Sequence, residues 1–268
     1  MPLAVCATPI GNLEDVTLRV LGELGAADLV LCEDTRRTRI LLDRHGIEAR
    51  LVSFHRHNEA ARTAEVLERL AGDERISLVS DAGLPGVNDP GARLLVAALA
   101  AGVPTTVLPG PSAVETALVA SGLVADRYQF VGYQPHRDAE LRALGRELAV
   151  WPSPVVAFES PRRLPRSLAA LAGEMPDREA AVCRELTKRF EEVVRGSLEE
   201  LARRFEEPPR GEITVVLGSW AVEEVVELDE ALAAVGELVW AGMSRRPAVD
   251  LVARLTGASR NELYRRSL

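Results

Sequence analysis

The sequence predicts an α/β protein, because short apolar runs alternate with longer segments of helical periodicity over its first 120 residues. The chain has 268 residues and is 47% hydrophobic, so it is long and apolar enough to bury one or two cores. Segments rich in Gly and Pro follow several of the apolar runs. Open parallel sheets bind ligands beyond the carboxyl ends of their strands, so we expect these loops to form the functional site.

The first half predicts a parallel sheet covered by helices. The predicted strands are β-branched or Leu-rich runs at residues 3–7, 29–32, 51–54, 76–80 and 105–108. The predicted helices have apolar residues at three- and four-residue spacing and cover residues 18–24, 35–44, 59–71 and 91–101. Ser112 and Glu115 have the spacing of a capping box, which predicts a further helix that ends the first domain, residues 1–120.

The second half has a more mixed pattern, which predicts a second α/β domain over residues 121–222. Its predicted strands are residues 129–133, 155–158, 180–186, 191–195 and 213–217. Its predicted helices are residues 138–149, 164–171 and 198–205, the last beginning at a capping box formed by Ser197 and Glu200. Residues 223–268 show no strand signal. An acidic helix and a helical pair, 248–256 and 259–267 joined at Gly257 and Ala258, predict a helix-turn-helix-like element there.

The charge is unevenly distributed. The net charge is −8, but residues 242–268 carry +4, which leaves −12 for the rest of the chain. Any contact with nucleic acid must therefore come from local basic surfaces. Cys6, Cys32 and Cys183 lie far apart in apolar runs, as buried thiols of a reducing compartment do. With no signal peptide or membrane span expected, we predict a cytoplasmic protein that does not contact membranes.

Several polar segments are candidates for chemistry. The segment SDAGLPGVNDPG (residues 80–91) packs three Gly, two Pro and two Asp between a strand and a helix, which predicts a ligand-binding loop. In it, Asp81 is expected to accept hydrogen bonds from a ligand, and Asp89 to cap the following helix. Asp34 is a further candidate helix cap, while Arg36 and Arg37 are poorly placed for the helix dipole and indicate an anionic partner.

Two other features have competing explanations. His55 and His57 suggest a metal site, but no third ligand with suitable spacing follows, so we predict a loop that faces solvent or substrate and no bound metal. Lys188 is the only lysine beside 31 arginines. Its retention suggests a compact charge whose pKa burial can lower, although chance survival of one surface lysine explains it equally well.

Eight segments in order resemble the bacterial small-subunit rRNA cytidine 2′-O-methyltransferases, a family of the tetrapyrrole-methylase superfamily. These are ATPIGNLEDVTLRVL (7–21), EDTRRT (33–38), FHRHNE (54–59), SDAGLPGVNDPG (80–91), LPGPSA (108–113), FESPRRL (158–164), RELTK (184–188) and GEITVVLG (211–218). The resemblance implies two α/β domains with S-adenosylmethionine in the cleft between them. It further implies a homodimer that acts on 16S rRNA or the small ribosomal subunit, methylating a cytidine ribose in the decoding region.

The resemblance assigns roles by motif. Residues expected to bind the donor are Pro9, Gly11, Asp81, Ala82, Gly83, Leu84, Ser112, Ala113, Phe158, Leu186, Gly211, Glu212 and Ile213. A 2′-hydroxyl that attacks a sulfonium methyl needs positioning and a proton acceptor, but no metal. The group that activates the hydroxyl is expected among Glu33, Asp34, Glu159, Glu185 and Lys188, and the sequence does not choose between them. RNA contacts are expected from Arg36, Arg37, His55, Asn58, Arg260 and Arg265.

Two other functions stay open. A cobalamin- or sirohaem-pathway methyltransferase would use the same scaffold and donor cleft for a tetrapyrrole substrate. Such enzymes usually lack the EDTRRT and FHRHNE segments and a basic helical C-terminus. A non-catalytic ribosome-assembly factor would bind the subunit through the arginine-rich tail.

Overall fold

The computed structural model describes residues 2–220, 228–256 and 258–268. Its contacts divide the chain into two compact units, residues 1–220 and residues 221–268. The predicted start of the C-terminal element at residue 223 and the predicted turn residue Gly257 lie outside the described residues.

The first sheet is parallel, as the sequence predicts. Its strands are β1 (Leu3–Cys6), β2 (Leu29–Cys32), β3 (Leu51–Ser53), β4 (Ile76–Leu78) and β5 (Thr105–Leu108), in the order β3-β2-β4-β1-β5. The helices between them are α1 (Leu18–Ala26), α2 (Thr35–Arg44), α3 (Glu59–Ala71) and α4 (Ala92–Ala100). The strands β1, β2 and β4 are buried along their whole length, because apolar side chains project into cores on both faces of the sheet.

Helix α5 (Ala113–Ser121) packs against the second sheet rather than the first. Its residues Val114, Ala117 and Leu118 share a core with Val156 and Val216. The sequence grouped this helix with residues 1–120. Helix α5 follows the last strand of the first sheet but packs on the second sheet. The two halves of residues 1–220 therefore meet through buried apolar contacts.

The second sheet is mixed. Its strands are β6 (Gln129–Tyr133), β7 (Val155–Glu159), β8 (Glu179–Arg184), β9 (Glu192–Ser197) and β10 (Ile213–Leu217), in the order β6-β7-β10-β8-β9. Strand β6 runs parallel to β7, and the other pairings are antiparallel. Its helices are α6 (Asp138–Ala149), α7 (Leu164–Ala172) and α8 (Leu198–Arg204). The predicted α/β class is confirmed in both halves, with element ends shifted by a few residues.

Helix caps agree with the sequence in two places and differ in two. Asp34 caps α2 through the N–H of Arg36, and Ser197 forms its capping box with Glu200. The box expected at Ser112 is wrong, because its hydroxyl donates to the Glu115 carboxylate instead of accepting a backbone N–H.

The cap expected from Asp89 is also wrong. The N-terminus of α4 is satisfied by Glu59 of α3, whose Oε1 accepts from the N–H groups of Gly91 at 3.0 Å and Arg93 at 3.2 Å. Asp89 is therefore available for another role.

The described residues of the C-terminal unit form helices α9 (Leu228–Trp240), α10 (Arg245–Thr256) and α11 (Arg260–Arg266) around a small core. Ala231, Val235, Ala248, Val252 and Leu263 fill that core. The three cysteines are free and buried, as expected. Within the part of the chain that the structure describes, no helix combines the length and apolarity needed to cross a bilayer.

Candidate active site

A cavity of about 210 Å³ lies where loops from the two α/β halves meet. Residues after β1 and β4 line one side, α2 lines another, and Lys188 and Glu212 come from the second half. The structure brings together several residues that the sequence assigned to the site, namely Pro9, Gly11, Arg37, Asp81, Ala82, Lys188 and Glu212. We refer to this cavity as the cleft.

The loops after β1 and β4 form one unit. Thr8 and Gly83 exchange two backbone hydrogen bonds, of 2.8 and 3.0 Å, and the Thr8 hydroxyl donates to the carbonyl of Ser80 at 3.1 Å. Gly83 has a φ of +76°, a conformation that glycine adopts without strain. These bonds hold the backbone of residues 8–11 beside residues 80–83 and so fix one wall of the cleft.

The β8–β9 connection, residues 185–191, forms the opposite wall and is held in an unusual conformation. Glu185 and Thr187 have φ angles of +52° and +64°, which cost non-glycine residues on the order of 1–3 kcal/mol each. The Thr187 hydroxyl accepts the N–H of Asn12 at 3.1 Å. A Cβ on Gly11 would lie 2.6 Å from the Cγ of Lys188 and 2.8 Å from a backbone oxygen. The two walls therefore touch at Gly11, where a side chain does not fit.

Lys188 is the charge at the centre of this contact. Its Nζ donates to Glu185 at 2.9 Å and to Glu212 at 2.8 Å. Burial acts to lower the pKa of Lys188, but the hydrogen bonds from the two carboxylates outweigh burial and raise it. Burial could have lowered the pKa of Lys188, but its two partners hold the lysine as a cation.

Glu185, one of these two carboxylates, also accepts a backbone hydrogen bond. Its Oε1 accepts from Lys188 and from the N–H of Glu212 at 2.9 Å, and the bond from Lys188 lowers the pKa of Glu185. Gly211, with φ of +98°, has no room for a Cβ beside this carboxylate. Lys188 and Glu185 are therefore arranged to hold the cleft together.

The segment after β2 places two acids differently. Asp34 binds the side chain and N–H of Arg36, which holds the pKa of Asp34 down at about 2. Burial, with the nearby charge of Asp81, raises the pKa of Glu33. Glu33 is one of the five residues predicted to activate the hydroxyl, and its raised pKa makes it a better proton acceptor than a solvent-exposed glutamate.

Asp81 links this segment to the cleft. Its Oδ1 accepts the N–H of Asp34 at 3.0 Å, and its Oδ2 lies 3.5 Å from Arg37. Burial raises the pKa of Asp81 despite these partners. A carboxylate that lines the cleft and is incompletely neutralised suits a cationic ligand.

Asp89 was assigned only to helix capping, and the structure gives it a different environment. Burial, reinforced by the charge of Glu33, raises the pKa of Asp89 to about 6. Arg56 donates to the carbonyl of Asn88, next to it. The one signal in the sequence was the unusual density of Asp, Gly and Pro in residues 80–91, which marks the loop but not the residue.

Glu159 lies apart from the cleft lining. Its buried carboxylate accepts from the N–H of Ser160 at 2.6 Å, from the Ser167 hydroxyl and from Arg163. These bonds fix the start of α7. The structure gives Glu159 a structural role.

The remaining predicted donor residues contribute around the cleft rather than in its lining. Leu186 is buried in the core that joins the two halves. Leu84 packs against the core on one face of the first sheet, and Ile213 packs in a core of the second sheet. Phe158 contacts the rings of Phe130 and Tyr133, with centroids 5.0 and 5.4 Å away. Ser112 and Ala113 lie at the N-terminus of α5. A donor role for these residues stays a prediction.

The predicted RNA contacts fall into two groups. Arg36 and Arg37 are exposed at the start of α2, at the rim of the cleft, whereas Asn58 closes its own turn by accepting from the N–H of His55 and donating to the carbonyl of Ser53. In the C-terminal unit, Arg260 pairs with Asp250, and Arg265 is exposed. Over residues 2–220, 228–256 and 258–268, no group of three or more His, Cys, Asp or Glu side chains is arranged to hold a metal ion.

Comparison with known proteins places this geometry in a family. Residues 2–202 match the family "Tetrapyrrole (Corrin/Porphyrin) Methylases", and residues 226–268 match the "RsmI C-terminal HTH domain". Similar proteins named "Ribosomal RNA small subunit methyltransferase I" come from Mycobacterium bovis and Mesorhizobium japonicum. The first is 44% identical over 98% of this chain and 93% of its own length, and the second is 41% identical over 99% and 91%.

A solved structure is similar at the level of the fold. The crystal structure of uroporphyrin-III C-methyl transferase from Thermus thermophilus, complexed with S-adenyl homocysteine, has a TM-score of 0.58 and 22% identity, and the match covers 81% of this chain and 96% of that one. The family matches, the near full-length relatives and the shared fold agree: this chain belongs to the tetrapyrrole methylase family and, within it, to the ribosomal RNA small subunit methyltransferase I family.

Proposed function

We propose that this chain transfers a methyl group from S-adenosylmethionine to the 2′-hydroxyl of a cytidine in the decoding region of 16S rRNA. The observation that carries the proposal is the cleft, which is lined by several of the predicted donor residues from both α/β halves, in a chain whose near full-length relatives are named rRNA small subunit methyltransferases. We propose a homodimer, acting on the rRNA or the small ribosomal subunit, as the working form.

The residues of the cleft fit the donor. S-adenosylmethionine carries a sulfonium and an ammonium, and the cleft offers the carboxylates of Asp81 and Glu212. The Pro9–Gly11 loop lines the cleft, and Gly11 leaves room there for the β8–β9 connection to approach it. Pro9, Gly11, Asp81, Ala82 and Glu212 would hold the donor, with Gly83 and Gly211 keeping the loops in place. When bound, the sulfonium supplies a methyl group that is already activated for transfer.

The protein's first contribution is positioning. The two walls of the cleft are joined by the Lys188 ion pairs and by the Asn12–Thr187 hydrogen bond, so the groups that bind donor and acceptor sit on one rigid frame. Holding two reactants in line can supply on the order of 7–11 kcal/mol of barrier lowering.

The second contribution is a proton acceptor. Burial raises the pKa values of both Glu33 and Asp89, the charge of Asp81 adds to both shifts, and the charge of Glu33 adds to that of Asp89. We infer that Glu33 or Asp89 accepts the proton of the attacking 2′-hydroxyl. Asp34, Glu185 and Lys188 are poorer acceptors, since their partners stabilise the charged forms.

Two measurements test the proposal. First, calorimetry with S-adenosylmethionine should show weaker binding by Asp81→Ala than by wild type, with the exposed Asp126→Ala as control. Unchanged affinity in Asp81→Ala would remove Asp81 from the donor site. Second, ribose methylation should be mapped on rRNA from a strain that lacks the gene. An unmethylated decoding-region cytidine, restored by the wild-type gene, supports the assignment. An unchanged rRNA pattern would favour a tetrapyrrole substrate or a non-catalytic assembly role.

The proton acceptor is tested by single-turnover methylation at saturating donor and RNA. Glu33→Gln and Asp89→Asn should slow transfer by about 10²–10⁴-fold if they act as the base. Wild-type rates in both variants would exclude the pair.

A further inference from the structure

Helix α2 lines more than the cleft. Arg37 and Leu41 face the cleft, and Arg44 faces a second, open groove of about 560 Å³. These positions follow one another at four and three residues, so they lie on one face of the helix. Gly11, Leu13 and Lys188 line both spaces. The cleft and the groove are therefore continuous along α2.

The β8–β9 connection forms the other wall of the groove through Thr187, Lys188 and Arg189. This connection is tightly fixed, because the N–H of Thr187 donates to Glu191 at 2.5 Å and the N–H of Glu191 donates to the carbonyl of Lys188 at 3.1 Å. Phe190 follows Arg189 in this turn, next to the residues that line the groove.

Phe190 is unusual in its exposure. Its residue surface is 65% exposed, although the chain has only five phenylalanines and 4% aromatic residues. The guanidinium of Arg189 lies over its ring, 5.4 Å from the centroid. The ring lies largely outside the core on a well-held turn, so it is accessible to a ligand.

The charges indicate which ligand. Arg44 is bound to Glu14, and Lys188 is held between Glu185 and Glu212. Among the described residues, the ion pairs include no carboxylate within 4.0 Å of Arg189. An aromatic face beside an arginine is the combination that binds unpaired nucleotides, through base stacking and contact with phosphate.

We propose that the groove between α2 and the β8–β9 connection holds the single-stranded RNA next to the target nucleotide, with Phe190 stacked on a flanking base and Arg189 on a phosphate. The proposal rests on the rRNA methyltransferase function proposed above and names where the RNA leaves the cleft. Phe190 and Arg189 are positioning residues: they act on the RNA and not on the transferred methyl group.

The test is steady-state methylation of small-subunit RNA from a strain that lacks the gene, with KM for RNA and kcat measured separately. Phe190→Ala should raise the KM for RNA on the order of ten-fold, because stacking on one base is lost, and should leave kcat and the donor affinity unchanged. Phe190→Trp keeps an aromatic ring at this position and should therefore retain the wild-type KM for RNA. Arg189→Ala should raise KM and also reduce the steepness with which RNA binding weakens as salt rises.

Matched controls are Val150→Ala, an exposed apolar residue on another loop, and Arg203→Ala, an exposed arginine on α8. Both should behave as wild type. A wild-type KM and salt dependence in Phe190→Ala and Arg189→Ala would overturn the proposal. So would a change of oligomeric state in Phe190→Ala, measured by sedimentation, because the turn would then be an interface between copies of the chain. Failure of the wild-type protein to methylate any RNA would instead refute the proposed function.

Discussion

Replacing Asp89 with asparagine is expected to stabilise the protein above pH 6. Burial and the nearby charge of Glu33 raise the pKa of Asp89 from 3.8 to about 6 in the folded protein. The folded state therefore binds this proton more tightly than the unfolded state does. The stability that comes from the protonated carboxyl is fully present below about pH 4 and is lost as the pH rises through 6. Above that range the wild type contains a buried charge that Asp89→Asn removes.

The size of the effect follows from the pKa. A carboxyl whose pKa rises from 3.8 to about 6 loses about 3 kcal/mol of folded-state stabilisation at pH 8. Because Asp89 is partly exposed, solvent screening reduces the expected gain in Asp89→Asn to about 1–2 kcal/mol. Urea unfolding of both proteins at pH 4, 6 and 8 measures it. The free energies of unfolding should agree at pH 4 and differ in favour of the variant at pH 8.

Asp126→Asn, in the exposed segment before β6, is the control and should track the wild type at every pH. A difference between Asp89→Asn and wild type that stays constant from pH 4 to pH 8 would refute the argument. So would a variant that is less stable at pH 8. A variant that is more stable and also slower in methyl transfer would show that the buried carboxylate is retained for catalysis at the expense of stability.

Three further changes have definite expected outcomes. Gly11→Ala should destabilise the protein by about 1–3 kcal/mol in urea unfolding and weaken donor binding, because the new Cβ meets Lys188 and a backbone oxygen. Wild-type stability in Gly11→Ala would show that the two walls of the cleft do not touch at Gly11. Lys188→Met should cost about 1 kcal/mol at pH 7, and the loss should shrink as the pH falls through the lowered pKa of Glu185, because the carboxylate that the lysine stabilises is then protonated. A pH-independent loss would contradict the ion-pair explanation. Glu59→Ala should cost about 1–2 kcal/mol in thermal or urea unfolding by uncapping α4, with Glu59→Gln recovering part of it; an unchanged stability would show that Gly91 finds another acceptor.

Most of the fold was predictable because its signals are local. The strands β1 and β2 are short and wholly apolar, β4 is apolar except for Ser77, and α2 and α3 have amphipathic repeats, so pattern and spacing alone located them. The packing of α5 on the second sheet was not predictable. It depends on which of the two sheets offers a complementary apolar face, and the sequence of α5 does not show which sheet that is.

The same distinction applies to the candidate site. Loops with unusual Gly and Pro content marked the backbone that forms the cleft, since such residues allow close approach. The charge states were not predictable. Lys188 has a raised pKa because Glu212, 24 residues further along the chain, meets it beside the neighbouring Glu185. Asp89 looked like a cap because the competing cap, Glu59, lies on the preceding helix and far away in sequence.

The distribution of charge gives a physical reason for an acidic protein to act on RNA. The carboxylates Glu33, Asp81 and Asp89 lie in and beside the cleft, where the proposed donor carries positive charge and where a phosphate would be repelled. Of the arginines, Arg37 lines the cleft from its exposed side, and Arg189 lines the adjoining groove. The carboxylates in and near the cleft would therefore attract the positively charged donor. The arginines near its opening would attract the negatively charged RNA backbone and hold it at the surface. Because only the surface contacts displace counterions from RNA, added salt should weaken RNA binding steeply while the affinity for the donor changes little.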